Sequence, residues 1–326
     1  MKFVSLLFLF LAACTSKPKD PYTYFHGKAM ETTYNIAIGK TLSSKEKKDI
    51  QTLLNHVFRE ADKTLSEIAQ FNNLSIGTFT PSEKLLFLLH SSDKIVLLSG
   101  GRFDPTVEPL SRIWRKALNQ KKMPDTTLVQ QACEELSWSH LTLREKIIEK
   151  KRKGTCINLS GLVKGQSIDQ IVERLQAQGY SDLFVQWGSA SRAIGRQPNG
   201  KEWIVTINPS LQQEGHPLTP IPLRNAAIAV SGEFTTKGLI LPAEAAPDHQ
   251  VHRYFPIIDP LTAQPIEQTP YSIAAAAVIA PTCIYACALA KAAMIFSSRK
   301  EAENWAQEVV QLYPDVSFWI LSHRDP

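Results

Sequence analysis

The sequence predicts an α+β fold, a single domain of mixed sheets with surrounding helices. Segments with helical apolar spacing and segments of alternating or wholly apolar residues are interspersed, without the regular βαβ alternation of a doubly wound sheet. Composition agrees: 326 residues at 44% hydrophobic and 21% charged bury a sizeable core. A third observation is the central stretch Ile157-Asn158-Leu159-Ser160-Gly161-Leu162-Val163-Lys164-Gly165, followed by Ile168, Ile171, Val172 and Leu175 at helical spacing. It reads as strand, tight turn and helix. The charge balance, 36 basic against 31 acidic residues for a net +5, is too mild for a nucleic-acid binder. It suits an anionic ligand or an acidic membrane surface.

The N-terminus predicts a topology. Lys2 is a charged leader, residues 4–11 are apolar but too short to span a bilayer, and Leu11-Ala12-Ala13-Cys14 is similar to a bacterial lipobox. The reading is a signal peptide over 1–13, a lipidated tether over 14–22 anchored at Cys14, and the folded domain over 23–326. An ordinary signal peptide with a chance cysteine is the alternative. Cys133, Cys156, Cys283 and Cys287 show no disulfide framework and read as small core residues.

Element by element, residues 34–38 alternate as a strand, and Ser43 with Glu46 forms a capping box for a helix striped by Ile50, Leu53, Leu54, Val57, Phe58, Ala61 and Leu65. Pro81 opens a second helix, which Gly100-Gly101 ends. A two-proline loop over 102–110 leads to a short helix with Ile113 and Trp114, and 126–135 is amphipathic. Short strands are expected at 140–144, 146–149 and 156–159, then at 183–187, 203–208 and 226–230. Ser231-Gly232-Glu233-Phe234 reads as a turn and 248–254 as a polar surface loop, whose His249 and His252 are poor candidates for a metal. Residues 257–260 are a strand end and turn. A very apolar strand at 272–279 precedes a small-residue helix from Pro281 to 296, and 301–312 and 318–321 complete the domain.

The central stretch carries the first chemical hint. A helix N-terminus favours an anion, and Lys164 adds positive charge in the expected first turn. The stretch has neither Walker spacing nor Gly-x-Gly-x-x-Gly, so a plain strand-to-helix connection with a solvated lysine reads equally well.

Several separated segments together point further. Gly27-Lys28-Ala29-Met30-Glu31-Thr32, Leu65-Ser66-Glu67 with Phe71-Asn72, Phe103-Asp104-Pro105-Thr106-Val107 with Pro109-Leu110 and Trp114, the central stretch with Asp169, Val230-Ser231-Gly232 and Ile257-Ile258-Asp259-Pro260 occur in one order over most of the chain. In that order the chain resembles the ApbE-type FAD:protein FMN transferases. The resemblance implies an enzyme that cleaves FAD and attaches FMN to a Thr or Ser of a client redox protein. It implies flavin contacts at Met30, Phe103, Asp104, Thr106, Asn158, Lys164, Ser231 and Ile257. It also implies a setting at the bacterial cell membrane, periplasmic or outward-facing, with a membrane redox complex subunit as client and no nucleic acid. Read from the residues alone, Met30 is equally a core side chain, and Asp104, Thr106, Ser231 and Asp259 are equally turn stabilisers.

The departures are as informative. Asn158 replaces the family's Asp, and Gly188-Ser189-Ala190 its Gly-Gly-Asp. Pro256 stands at a His position. The Asp and Thr that hold Mg²⁺ in the family fall on Cys287 and Lys291, and the family's carbonyl ligand falls near Gly161. A thiol and an ammonium do not hold a hard cation that takes oxygen ligands. The expectation is that Lys164 and Lys291 act as the catalytic cations in its place. The alternatives are a non-catalytic flavin-binding lipoprotein that has lost the Mg²⁺ site and a generic solute-binding lipoprotein; the order of the segments disfavours the latter.

Overall fold

The computed structural model describes residues 21–207, 219–232 and 238–323. The signal segment, Cys14 and most of the expected tether lie outside these residues. In order, the elements are β1 (Thr23–Ala29), β2 (Thr32–Ile38), α1 (Ser44–Asn73), β3 (Gly77–Phe79), α2 (Glu83–Leu98), α3 (Glu108–Asn119), α4 (Thr126–Glu135), β4 (Leu141–Leu143) and β5 (Ile148–Lys150). Then come α5 (Ser160–Ala177), β6 (Leu183–Trp187), β7 (Ala190–Ile194), β8 (Trp203–Ile207), β9 (Thr219–Leu223), β10 (Ala226–Gly232), β11 (Leu239–Leu241), β12 (His252–Asp259), β13 (Gln264–Glu267), β14 (Ile273–Ala280), α6 (Cys283–Met294), α7 (Arg299–Leu312) and β15 (Ser317–Ser322).

The scaffold is a seven-stranded sheet in the order β1-β2-β6-β7-β10-β14-β15, antiparallel at every pairing. One face carries the main core, where Ile36 and Ile38 of β2, Val185 and Trp187 of β6 and Val278 of β14 meet α1, α5 and α6. Alternation sends Ala37, Ala193 and Ile228 to the other face, which the paired strands β8 and β9 cover with Trp203, Val205, Ile221 and Leu223. A satellite sheet, β11-β12-β13, packs with α3 and α4 around Leu110, Trp114, Leu241 and Tyr254. A third small sheet, β3-β5-β4, lies beside the end of α1.

Local chemistry explains why the central elements stop where they do. The capping box is present: Glu46 N–H donates to Ser43 Oγ, and Ser43 N–H donates to Glu46 Oε2 at 2.8 Å. The far end of α1 is closed by the fully buried Lys150, whose Nζ donates to the carbonyls of Phe71, Asn72 and Leu74 at 3.4, 3.2 and 2.8 Å. In α6 Ala286, Ala288, Ala290, Ala292 and Ala293 are all buried, so the helix lies close against its neighbours.

Four expectations need correction. Residues 157–159 are not a strand; the segment pairs only through a single parallel bridge between Cys156 and Val107. Ser231 and Gly232 are not a turn but the end of β10, in register with Ala276 and Ala275. The polar stretch before residue 255 is not all loop, because β12 begins at His252 and pairs with both β11 and β13. Lys164 is beyond the first turn of α5, which starts at Ser160.

Candidate functional site

Helices α5 and α6 meet through one narrow stripe on each. On α5 the residues at i, i+4 and i+8 are Gly161, Gly165 and Asp169; on α6 they are Cys283, Cys287 and Lys291. Such spacing stacks side chains on one face. A Cβ added at Gly165 would lie 2.9 Å from the Cys283 carbonyl oxygen and 3.0 Å from Ile284 N, so only glycine lets the backbones approach this closely. At one end of the stripe, Asp169 accepts the N–H groups of Cys283 and Ile284 at 2.9 and 3.1 Å, and Arg192 Nη1 at 2.8 Å. It thereby closes the N-terminus of α6. Burial nevertheless pushes its carboxyl up to about 6, against the pull of Arg192 and the two amides.

At the other end stands Lys291. A Cβ on Gly161 would stand 3.0 Å from Lys291 Nζ and 3.3 Å from its Cε, so the Lys291 side chain lies directly against the first turn of α5. Lys164 lies close enough for its charge to act on Lys291. Burial lowers the pKa of Lys291 most, and Lys164 lowers it further against the opposing influence of Cys287. Burial likewise lowers Lys164, opposed by Cys287. Burial holds the Cys287 thiol up at about 12 despite both ammonium groups, so it is a neutral thiol. Among the described residues neither lysine makes an ion pair.

The tip of the β1–β2 hairpin adjoins Lys164. Lys164 Nζ donates to Thr32 Oγ1 at 2.7 Å, and Thr32 Oγ1 donates to the Met30 carbonyl at 3.2 Å. Met30 and Glu31 both have left-handed backbone, φ 46° and 59°, a strained pair for residues with side chains. Met30 packs against the main core, and it also lines a groove of about 510 Å³ with Lys28, Phe58 and Arg59.

Of the remaining sequence candidates, Asp104, Thr106 and Asn158 are hydrogen-bonded around the segments that lead into α3 and α5. Asp104 Oδ1 accepts Thr106 N–H and Oγ1 at 2.7 and 2.6 Å, and Oδ2 accepts Trp138 N–H at 3.0 Å. Burial pushes the Asp104 carboxyl up, against these hydrogen bonds. Thr106 is fully enclosed and Phe103 is in the main core, so neither presents a side chain to solvent. Asn158 N–H donates to the Pro105 carbonyl, its Oδ1 accepts Ser160 N–H and Oγ, and its Nδ2 donates to Glu108 Oε2 at 2.7 Å. Asn72 clasps the adjacent Ile157 through both backbone groups. Ser231 is buried in β10, and Ile257, half-buried, packs on the main core from β12. Thr32 and Glu108 are partners that sequence reasoning missed. Thr32 carries no periodic signal, and Glu108 reads as an ordinary acid in the first turn of a helix.

The Mg²⁺ that the resemblance implies does not fit these residues. At positions 287 and 291 the chain offers a protonated thiol and an ammonium, which is a donor only, and Lys291 fills the space beside Gly161. Among the described residues no three His, Cys, Asp or Glu side chains cluster to hold a metal ion.

Known proteins share this arrangement of elements. The chain is 30% identical over 315 residues to a FAD:protein FMN transferase of Chlamydia pneumoniae, covering 94% of each, and 27% identical to one of Vibrio cholerae, covering 91% of this chain and 88% of that one. In solved structures it is similar to the flavin transferase ApbE from Vibrio cholerae, with a TM-score of 0.78 at 22% identity over 93% and 94% of the two chains. It is also similar to apo Pseudomonas stutzeri flavinyl transferase ApbE, with a TM-score of 0.77 at 21% identity over 94% and 92%. The family model described as the ApbE family matches residues 30–313, from the hairpin tip that meets Lys164 to the end of α7, and with that span and these relatives the chain belongs to the ApbE family.

Proposed function

We propose that this chain is an FAD:protein FMN transferase: it cleaves FAD and attaches FMN to a Thr or Ser hydroxyl of a client redox protein. The observation that carries the reading is Lys291 set against Gly161 at the start of α5, with Lys164 near enough for its charge to act on it, in a chain aligned with such enzymes along nearly its whole length. The reaction is phosphoryl transfer. The client hydroxyl oxygen forms a bond to the FMN phosphorus, the bond from that phosphorus to the AMP phosphate oxygen breaks, AMP leaves, and the hydroxyl proton passes to water. What such a step needs from a protein is positioning and stabilisation of charge on phosphate oxygens. Two ammonium groups, one on α5 and one from α6 lying against the first turn of α5, supply both. The Thr32 hydroxyl orients Lys164, and the Asn158–Glu108 contact holds the start of α5.

The substitutions at 287 and 291 favour one competing reading, a flavin-binding protein without turnover. Incubating the chain with FAD and a flavoprotein domain carrying the acceptor Thr separates the two. Flavin fluorescence that stays with the client band in a denaturing gel, and vanishes when the acceptor is changed to Ala, supports the transferase. FAD bound without transfer supports the competing reading. Lipid attachment at Cys14 and an outward-facing membrane location rest on the leader sequence. Labelling with palmitate that is lost in Cys14→Ser is the expected result. Among the described residues no helix is long and apolar enough to cross a membrane.

A further inference from the structure

Where the hairpin tip, the start of α5 and the end of α6 meet, two lysines come together. Two half-buried ammonium groups lie within reach of each other's field, and no carboxylate pairs with either among the described residues. Placing like charges together away from bulk water is unfavourable unless an anion joins them. The groups placed here offer that anion donors: Lys291 against Gly161 and Lys164 held by the neutral Thr32 hydroxyl, with Cys287 an uncharged thiol between the two helices. The carboxylate on the same stripe, Asp169, is turned to the opposite end, where Arg192 and two amides hold it.

We infer that Lys291 occupies the place of a divalent cation, and that with Lys164 it makes this chain a metal-independent binder of the FAD diphosphate. The inference rests on the transferase reading for the identity of the ligand. The charge is matched: two ammonium ions carry the formal charge of one divalent ion and balance the two negative charges of the diphosphate. The two solutions exclude one another, because an ammonium against Gly161 both fills the space and repels a metal.

The test uses the full chain in detergent, with manganese(II) as the metal probe and FAD as the diphosphate. Electron paramagnetic resonance of Mn²⁺ is expected to show no bound ion in the wild-type chain. FAD affinity, read by quenching of flavin fluorescence, is expected to be the same within about twofold in EDTA and in excess Mg²⁺. Lys291→Met is expected to weaken FAD binding in EDTA by about tenfold or more, the loss of one charge-assisted contact. Lys164→Met gives a second reading should that variant misfold. The paired change Cys287→Asp with Lys291→Thr is expected to bind one Mn²⁺ and to make FAD binding depend on metal. The inference is overturned if the wild-type chain binds Mn²⁺ stoichiometrically, if Mg²⁺ tightens FAD tenfold, if both single variants bind FAD like wild type, or if FAD binds under neither condition. Its failure is distinguishable from failure of the transferase reading. Metal-free FAD binding without transfer to a client sinks only the activity, whereas transfer that requires Mg²⁺ sinks only the inference.

Discussion

Asn158 ties the start of α5 to the segment that opens α3: its side-chain oxygen holds Ser160, its NH₂ holds Glu108, and its backbone N–H holds Pro105. Glu108 is almost buried, with Arg112 on its other oxygen at 2.8 Å. An aspartate at 158 would oppose a carboxylate across 2.7 Å, with no donor left between them. Asn158→Asp is therefore expected to destabilise the chain by about 1–3 kcal/mol in urea unfolding. Adding Glu108→Gln, which can donate to the new carboxylate, is expected to recover most of that loss. A double-mutant cycle with no coupling between the two positions would refute the contact as drawn. The sequence exposed half of this arrangement. Asn158 is conspicuous where the resemblance expects Asp, but an amide and a carboxylate separated by 50 residues give no periodic signal. Asp104 and Thr106 were equally ambiguous, because a turn cap and a ligand contact use the same residue types; here each is committed to the other.

The helices α5 and α6 were legible as elements, and their contact was legible in part. Glycines at 161 and 165 and small residues throughout α6 mark surfaces that approach closely, whereas nothing local says that the two surfaces face each other. Gly165→Ala is expected to cost about 1–3 kcal/mol, because the added methyl meets backbone atoms of Cys283 and Ile284 that cannot rotate away. The same variant is expected to weaken FAD binding by shifting Lys164 and Lys291 apart. An unchanged unfolding midpoint and unchanged affinity would show that the helices are not held at that distance. Lys150 closes α1 by donating to carbonyls that the helix itself leaves unpaired. Lys150→Met keeps the volume and removes the donor, so a loss of about 1–3 kcal/mol in urea unfolding is expected. In the sequence Lys150 looks like one more charge in a basic run, since burial is decided by β5 pairing with β3 and β4.

At the scale of the molecule, β2, β6, β10, β14 and β15 of the seven-stranded sheet follow from local patterns, and the fold class could be read from them, whereas β1 and β7 gain their order from pairing. In the satellite α3 and α4 were legible but most of the sheet β11-β12-β13 was not, because its strands are short and partly polar and gain their order from pairing. Its internal packing is specific. Trp114 Nε1 donates to the Ala263 carbonyl at 2.9 Å, and its ring meets Tyr254 at 5.9 Å between centroids. Next to Tyr254, His252 is held between two carboxylates, with Nε2 on Asp248 and Nδ1 on Glu267. The hydrogen bonds to Asp248 and then Glu267 raise the His252 pKa above its ordinary 6.5. A raised pKa means that the folded satellite holds the proton more tightly than the unfolded chain. The stabilisation is then fully present below about pH 6.5 and is lost as pH rises through the folded value. Hydrogen exchange, compared between wild type and His252→Asn at each pH, is expected to show extra protection of β11, β12 and β13 in the wild type at pH 6. That protection should shrink by pH 8, while the central strands β6, β7 and β10 show no such difference. Equal protection of β12 in both proteins at pH 6 would mean that the carboxylates hold the satellite without the imidazolium. Loss of protection across the seven-stranded sheet as well would mean that satellite and main body unfold as one unit.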